Sequence, residues 1–184
     1  GNRSLYLHGL LRSNADVYVY VQHSHVDDCQ KSSLKQWARK VLLYFILKRM
    51  DVVIRVCNDA LPDFYALGKI STIYNGITLP GQAASSKTAG HFVLLMVGAV
   101  NDNKNQILAL KLLVDYDLHL IVVGDGPRTK EWQQWAFDVG VDSRVNWTGF
   151  VDAPEQYYRQ ADALLLLSEF EAFPYVMLEA MAHA

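Results

Sequence analysis

Two glutamates, Glu171 and Glu179, stand eight residues apart near the carboxyl end of the sequence. The first lies in a loop-like stretch, Ser168-Glu169-Phe170-Glu171-Ala172-Phe173-Pro174, and the second inside an apolar helical pattern. A carboxylate set among Val176, Met177 and Ala180 is costly unless it has polar partners. Ribose or hexose hydroxyls would be such partners. An internal ion pair or a solvent-facing edge would serve as well, and the spacing does not choose between them. Pro174 suits the first helical position, and amides exposed at a helix start attract anions. Lys104 follows Gly98 in the polar loop Gly98-Ala99-Val100-Asn101-Asp102-Asn103-Lys104-Asn105, where a compact cation suits a phosphate or simply meets solvent. Gly124-Asp125-Gly126-Pro127 and Gly149-Phe150-Val151 are turns in which glycine lets a ligand or another backbone come close. Neither is a GxGxxG or a Walker loop. The second turn could stack on a base or pack on a core. His23-Ser24-His25 puts two imidazoles on one side of an extended segment, as orienting groups or as loop histidines bonded to backbone.

The elements that must position these residues follow from the apolar pattern. Strands are expected over 16–22, 52–56 and 70–74, and a helix over 31–49, where Leu34, Trp37, Val41 and Phe45 recur at steps of three and four. Residues 61–67 read as a helical turn or two. The stretch 79–90 (LPGQAASSKTAG) is small, polar and glycine-containing, as a linker is. Beyond it, strands over 91–98, 118–124, 144–148 and 163–167 alternate with helices over 105–114, 129–139, 154–160 and 174–184. Alternation of this kind, with nearly continuous apolar strands, predicts α/β architecture with parallel sheets covered on both faces. Two units result, 1–78 and 91–184, joined by 79–90, and both read as incomplete. Ligands of such sheets bind beyond the carboxyl ends of the strands, where Gly98, Lys104, Gly124, Gly126, Gly149 and Glu171 fall.

The 184 residues, 51% hydrophobic and 20% charged, can bury a proper core, which excludes a disordered chain. A net charge of −2 argues against a globally basic nucleic-acid binder. Cys29 and Cys57 make neither a disulfide framework nor a zinc site and fit a reducing cytoplasm. The longest uncharged apolar run, 41–47, is far short of the roughly 20 residues a spanning helix needs. No signal peptide is read at the N-terminus.

The segments VGAVNDNKNQ, IVVGDGP, VNWTGFV and ADALLLLSEFEAFPYVMLEAMAHA, in this order and spacing, resemble the donor-binding domain of retaining GT-B glycosyltransferases of the GT4 family. Glu171 and Glu179 match its E-x7-E motif. VYVYVQHSH and ISTIYNGI resemble the later part of the partner domain and its entry into the linker. The resemblance implies a GT-B fold of two Rossmann-like domains and a hexose transfer, with retention, from a nucleotide-diphosphate sugar in the interdomain cleft to a glycan or lipid-linked acceptor. It implies that Lys104 neutralises the pyrophosphate, Glu171 contacts the sugar and Glu179 holds the ribose. The backbone from Phe173 through Pro174 to Tyr175 would meet sugar and phosphates, the amides being those of Phe173 and Tyr175, since proline has no N–H; Gly149, Phe150 and Val151 would line the base pocket, and His23 or His25 would orient the acceptor. Neither metal nor cofactor is implied. Ala99 replaces an arginine usual after the strand-end glycine, and Ala172 a glycine usual after the first glutamate. If the backbone at Ala172 adopts φ > 0, alanine costs roughly 1 kcal/mol or more. Because both domains read as incomplete, the sequence as it stands is expected to be catalytically incomplete.

Rival readings are a non-catalytic nucleotide-sugar binding module or degenerate paralogue, and a metal hydrolase built on His23-x-His25-x-Asp27. In the latter, Asp28 stands where a histidine is expected. Asp115-Tyr116-Asp117 mimics the metal-binding D-x-D of GT-A enzymes but precedes a strand, so it is read as a surface turn. The basic face of 31–49 (Lys31, Lys35, Arg39, Lys40, Lys48, Arg49) suits contact with an anionic membrane or plain solvent.

Overall fold

The computed structural model describes residues 17–23, 34–61, 69–79, 81 and 90–183. His25, Cys29 and most of the turns expected over 61–67 lie outside the described residues. The chain divides into two compact units. One runs to Asn75 and includes Phe170–Phe173; the other takes in Gly76–Glu169 and continues from Pro174. No helix among the described residues is long and apolar enough to cross a membrane.

The first unit holds β1 (Val19–Gln22), α1 (Leu34–Lys48), β2 (Val52–Arg55) and β3 (Ile70–Thr72), the strands forming a parallel sheet in the order β1-β2-β3. Leu43, Ile46 and Leu47 of α1 are buried with Met50, Val53 and Leu61. The expected stripe is therefore corrected: Trp37 and Phe45 are exposed, at 64% and 58%. The carboxyl half of α1, VLLYFIL, is apolar on every side. Periodicity cannot fix the inward face there, and contact with β2 does.

The second unit contains β4 (Phe92–Val97), α2 (Gln106–Asp115), β5 (Leu118–Val123), α3 (Thr129–Asp138), β6 (Val145–Gly149), α4 (Glu155–Gln160), β7 (Ala163–Leu164) and α5 (Tyr175–Ala182). All pairings are parallel and the order is β6-β5-β4-β7. The strand pleat sends successive side chains to opposite faces. Leu94, Met96, Leu120 and Val122 pack on one face with Ala109, Leu110 and Leu113 of α2 and Ala136 of α3. Leu95, Ile121 and Val123 pack on the other with Tyr158 of α4 and Ala180 of α5. This is a doubly wound sheet, and the order reverses between β4 and β7. At that switch point the chain after β4 leads to α2 on one face and the chain after β7 to α5 on the other, and ligands of doubly wound sheets bind beside such a point.

Most element ends shift by a few residues, β3 for instance ending at Thr72 rather than at 74, and two of the shifts bear on the site. β7 ends at Leu164 rather than continuing to 167. After Leu165 donates to the Leu95 carbonyl (2.8 Å), the chain leaves the ladder and bonds instead to the loop after β4. Pro174 (φ −74°, ψ 127°) caps α5 from outside rather than occupying its first helical position, its extended ψ preceding the first helical residue, Tyr175.

Candidate functional site at the switch point of the second sheet

Three glycines end the strands. Gly98, Gly124 and Gly149 follow or close β4, β5 and β6, all with positive φ (137°, 134° and 70°). They form a hydrogen-bonded row: the Gly98 amide donates to the Val123 carbonyl (2.9 Å) and the Gly124 amide to the Gly149 carbonyl (2.8 Å). A Cβ on Gly124 would lie 2.1 Å from the Gly98 carbonyl oxygen, and one on Gly126 2.3 Å from that of Val100. The absent side chains thus let the loop after β5 press directly on the loop after β4. Asp125 completes the turn by accepting from the Gly126 amide (2.7 Å) and the Thr129 hydroxyl (2.6 Å), and these bonds lower its pKa, the hydroxyl more than the amide.

The loop after β4 is itself pinned on several sides. The Val100 amide donates to the Asp125 carbonyl (3.1 Å), and the Lys104 amide to the Asn101 side chain (3.0 Å). Buried Gln106, at the start of α2, donates to the Ala99 carbonyl (3.0 Å). Asn105 stands in the left-handed region (φ 53°) and its side chain donates to the Leu167 carbonyl (3.2 Å), while the Glu169 amide donates to the Asn103 carbonyl (2.9 Å). Lys104 is thereby folded back over the strand end: its Cε comes within 3.2 Å of where a Gly98 Cβ would be. A cation is held over backbone at the carboxyl end of β4, the position from which it can meet a phosphate. In the segment that bonds to this loop through Glu169, the buried Ser168 hydroxyl has no hydrogen-bond partner among the described residues.

The other expected site residues are distributed as follows. Glu179 of α5 is half-buried, and its Oε2 accepts from the Tyr158 hydroxyl (2.6 Å). Burial, first, and the neighbouring carboxylate, second, raise the tyrosine's pKa above its ordinary value. Of the partners left open by the sequence, an internal one is therefore present on one oxygen. Phe150 is exposed at 78%, while Val151 packs against the α4 face of the sheet. Tyr175 begins α5 and is exposed. Glu171 is half-buried in the segment Phe170–Phe173, which packs with the first unit: the Phe173 ring meets Tyr74 (5.6 Å) and the Phe173 carbonyl accepts from Asn75 (2.8 Å). The backbone at Ala172 carries no positive φ, because Asn105 is the one non-glycine residue with it among those described, so the strain considered for alanine there does not arise. His23 is exposed and directly follows β1.

Sequence reasoning missed Asn105, Gln106, Ser168 and Tyr158. The first two carried a signal, since both are amides bracketing the start of α2. Tyr158 carried none: its partner lies 21 residues away in sequence.

Residues 82–184 match the family described as Glycosyl transferases group 1. The chain belongs to that family. This family member is 40% identical over 73 residues to the lipopolysaccharide 1,6-galactosyltransferase of Salmonella typhimurium, a match covering 38% of the chain and 20% of the relative. It is 25% identical over 162 residues to an N-acetylgalactosaminyltransferase of Campylobacter jejuni acting on a diphospho-undecaprenol-linked sugar, covering 83% of the chain and 44% of that enzyme. Its GT-B fold is shared with Anabaena Alr3699/HepE, solved in complex with UDP, with a TM-score of 0.79 and 20% identity over 100% of the chain and 56% of the neighbour. The chain thus spans between a fifth and just over half of these proteins' lengths.

Proposed function

We propose that the protein to which this chain belongs transfers a hexose from a nucleotide-diphosphate sugar to a glycan or lipid-linked acceptor, with retention at the anomeric carbon. The observation that carries the reading is Lys104 folded over Gly98 at the switch point of a doubly wound sheet, within a chain of the group 1 family. In this reading Lys104 and the first amides of α5, at Tyr175 and just beyond, meet the diphosphate. As the bond from the anomeric carbon to the diphosphate oxygen breaks, negative charge grows on the leaving group, and a cation with fixed amides stabilises it without metal. The bond from the acceptor oxygen to the same carbon forms on the face the diphosphate leaves, and the acceptor proton passes to a donor phosphate oxygen. Glu171 grips the hexose hydroxyls. Glu179 keeps Oε2 on Tyr158 and offers Oε1 to the ribose. His23 or His25 orients the acceptor, Gly149, Phe150 and Val151 flank the base, and residues 79–90 link the two domains. The Campylobacter relative's lipid-linked acceptor and the UDP-bound neighbour support the choice of substrates.

The test is transfer from UDP-hexoses by the full-length protein, followed by NMR assignment of the product anomer. An α-linked product from an α-donor is expected. Lys104→Ala is expected to weaken donor binding about tenfold or more, as loss of a charge-assisted phosphate contact does, and Glu171→Ala to lose transfer with folding kept. A β-linked product, full turnover by Glu171→Ala, or donor binding without turnover would each overturn the reading, the last in favour of a binding module.

A further inference from the structure

We propose that His91, Asp117 and His119 bind one divalent transition-metal ion of the zinc class at the amino edge of the second unit's sheet, the end opposite the sugar-nucleotide loops. The strand register brings the three together. Phe92 pairs with Leu118 and Val93 with His119, so His91, one residue before β4, comes alongside Asp117, one residue before β5. The pleat sends Asp117 and His119 to the same face, and the parallel register puts His91 on that face beside them. The imidazoles of His91 and His119 are stacked with centroids 4.3 Å apart. Nδ1 of His91 is 3.9 Å from Oδ2 of Asp117. One donor atom from each of the three residues lies within 4.8 Å of the other two.

Around an ion bound at about 2.1 Å, tetrahedral donors stand about 3.4 Å apart. The observed spread therefore closes by up to about 1.4 Å of side-chain rotation, in which the His91 ring turns out of its stack on His119 so that the two nitrogens converge. His91 and Asp117 have that freedom, their side chains being 54% and 81% exposed, while His119 is carried on the rigid β5. Two imidazole nitrogens and one carboxylate select zinc, nickel or copper over magnesium or calcium, which prefer all-oxygen sites. Water completes the coordination. Because the ligands come from the starts of two adjacent strands, the ion clips β4 to β5 and adds stability by mass action. It takes no part in the transfer chemistry at the other end of those strands.

The experiment is calorimetric titration of Zn²⁺, and separately Ni²⁺, into the intact protein, with thermal unfolding in parallel. One ion per chain is expected, with a rise in the unfolding midpoint. His119→Gln, His91→Gln and Asp117→Asn are each expected to weaken binding about tenfold or more and to remove most of that rise. His91 and Asp117 are exposed, so their variants remain informative if His119→Gln folds poorly. The proposal is overturned if binding does not saturate by about 1 mM ion, or if the His91 and Asp117 variants bind as well as the parent.

Discussion

Gly124 is the position where the geometry makes its most exposed commitment, and Gly124→Ala tests it. The added methyl would stand 2.1 Å from the Gly98 carbonyl oxygen and 2.8 Å from its carbon. Those are backbone atoms at the end of a central strand, tied to β5 by the Gly98–Val123 hydrogen bond, so no flexible side chain can swing away. Overpacking of this kind costs about 1–3 kcal/mol. A φ of 134°, which side-chain-bearing residues rarely adopt, adds about 1–3 kcal/mol. Together the substitution is expected to cost about 2–6 kcal/mol. Gly140→Ala supplies the comparison. Its φ is also positive, at 74°, but nothing lies within 4 Å of the added Cβ, so only the backbone term of about 1–2 kcal/mol applies. Urea denaturation followed by near-UV circular dichroism separates the two, and donor titration reports the site. Gly124→Ala is expected to be the less stable variant by about 1–4 kcal/mol and to bind donor more weakly, since relief of the clash must move the loop that carries Lys104. Equal stability of the two variants would refute the close approach of the loops.

Two further perturbations have computable signs. Tyr158→Phe removes the hydroxyl held by Glu179 and is expected to cost about 1 kcal/mol at neutral pH. Because the folded-state pKa of Tyr158 is raised above the unfolded value near 10, its stabilising contribution is intact below pH 10 and declines as pH rises beyond it. Stability measured from pH 9 to 11 should therefore fall less steeply in the phenylalanine variant, and parallel slopes would contradict the burial of this hydroxyl. Asn105→Gly loses the bond to the Leu167 carbonyl but keeps an easy left-handed backbone, at about 1 kcal/mol. Asn105→Ala loses both, at about 2 kcal/mol; identical denaturation midpoints for the two would show that the positive φ carries no cost.

Much of the second unit was legible because two independent signals agreed there. Apolar strands such as FVLLMV and LHLIVV are packed on both faces, so they read as continuous runs, and glycine closes or follows β4, β5 and β6 at their carboxyl ends. The first unit was less legible. In α1 the run VLLYFIL offers no polar face, and the stripe through Trp37 and Phe45 proved to be the outward one. Glu179 shows the same limit in the site. Its apolar neighbours signalled that a partner was required, but Tyr158 arrives from another helix and no local spacing announces it.

The sequence by itself determined the alternation of strands and helices, hence a parallel doubly wound sheet, and the glycine-bearing loops that follow the strands' carboxyl ends. Those are local properties: side-chain periodicity, glycine's backbone freedom and the position of charge. Only the tertiary structure decided which residues meet. Lys104 over Gly98, Tyr158 on Glu179, and His91 beside Asp117 and His119 all depend on strand register and on helices packing from different parts of the chain. Such contacts are long-range, and their partners are chosen by which face each element can bury.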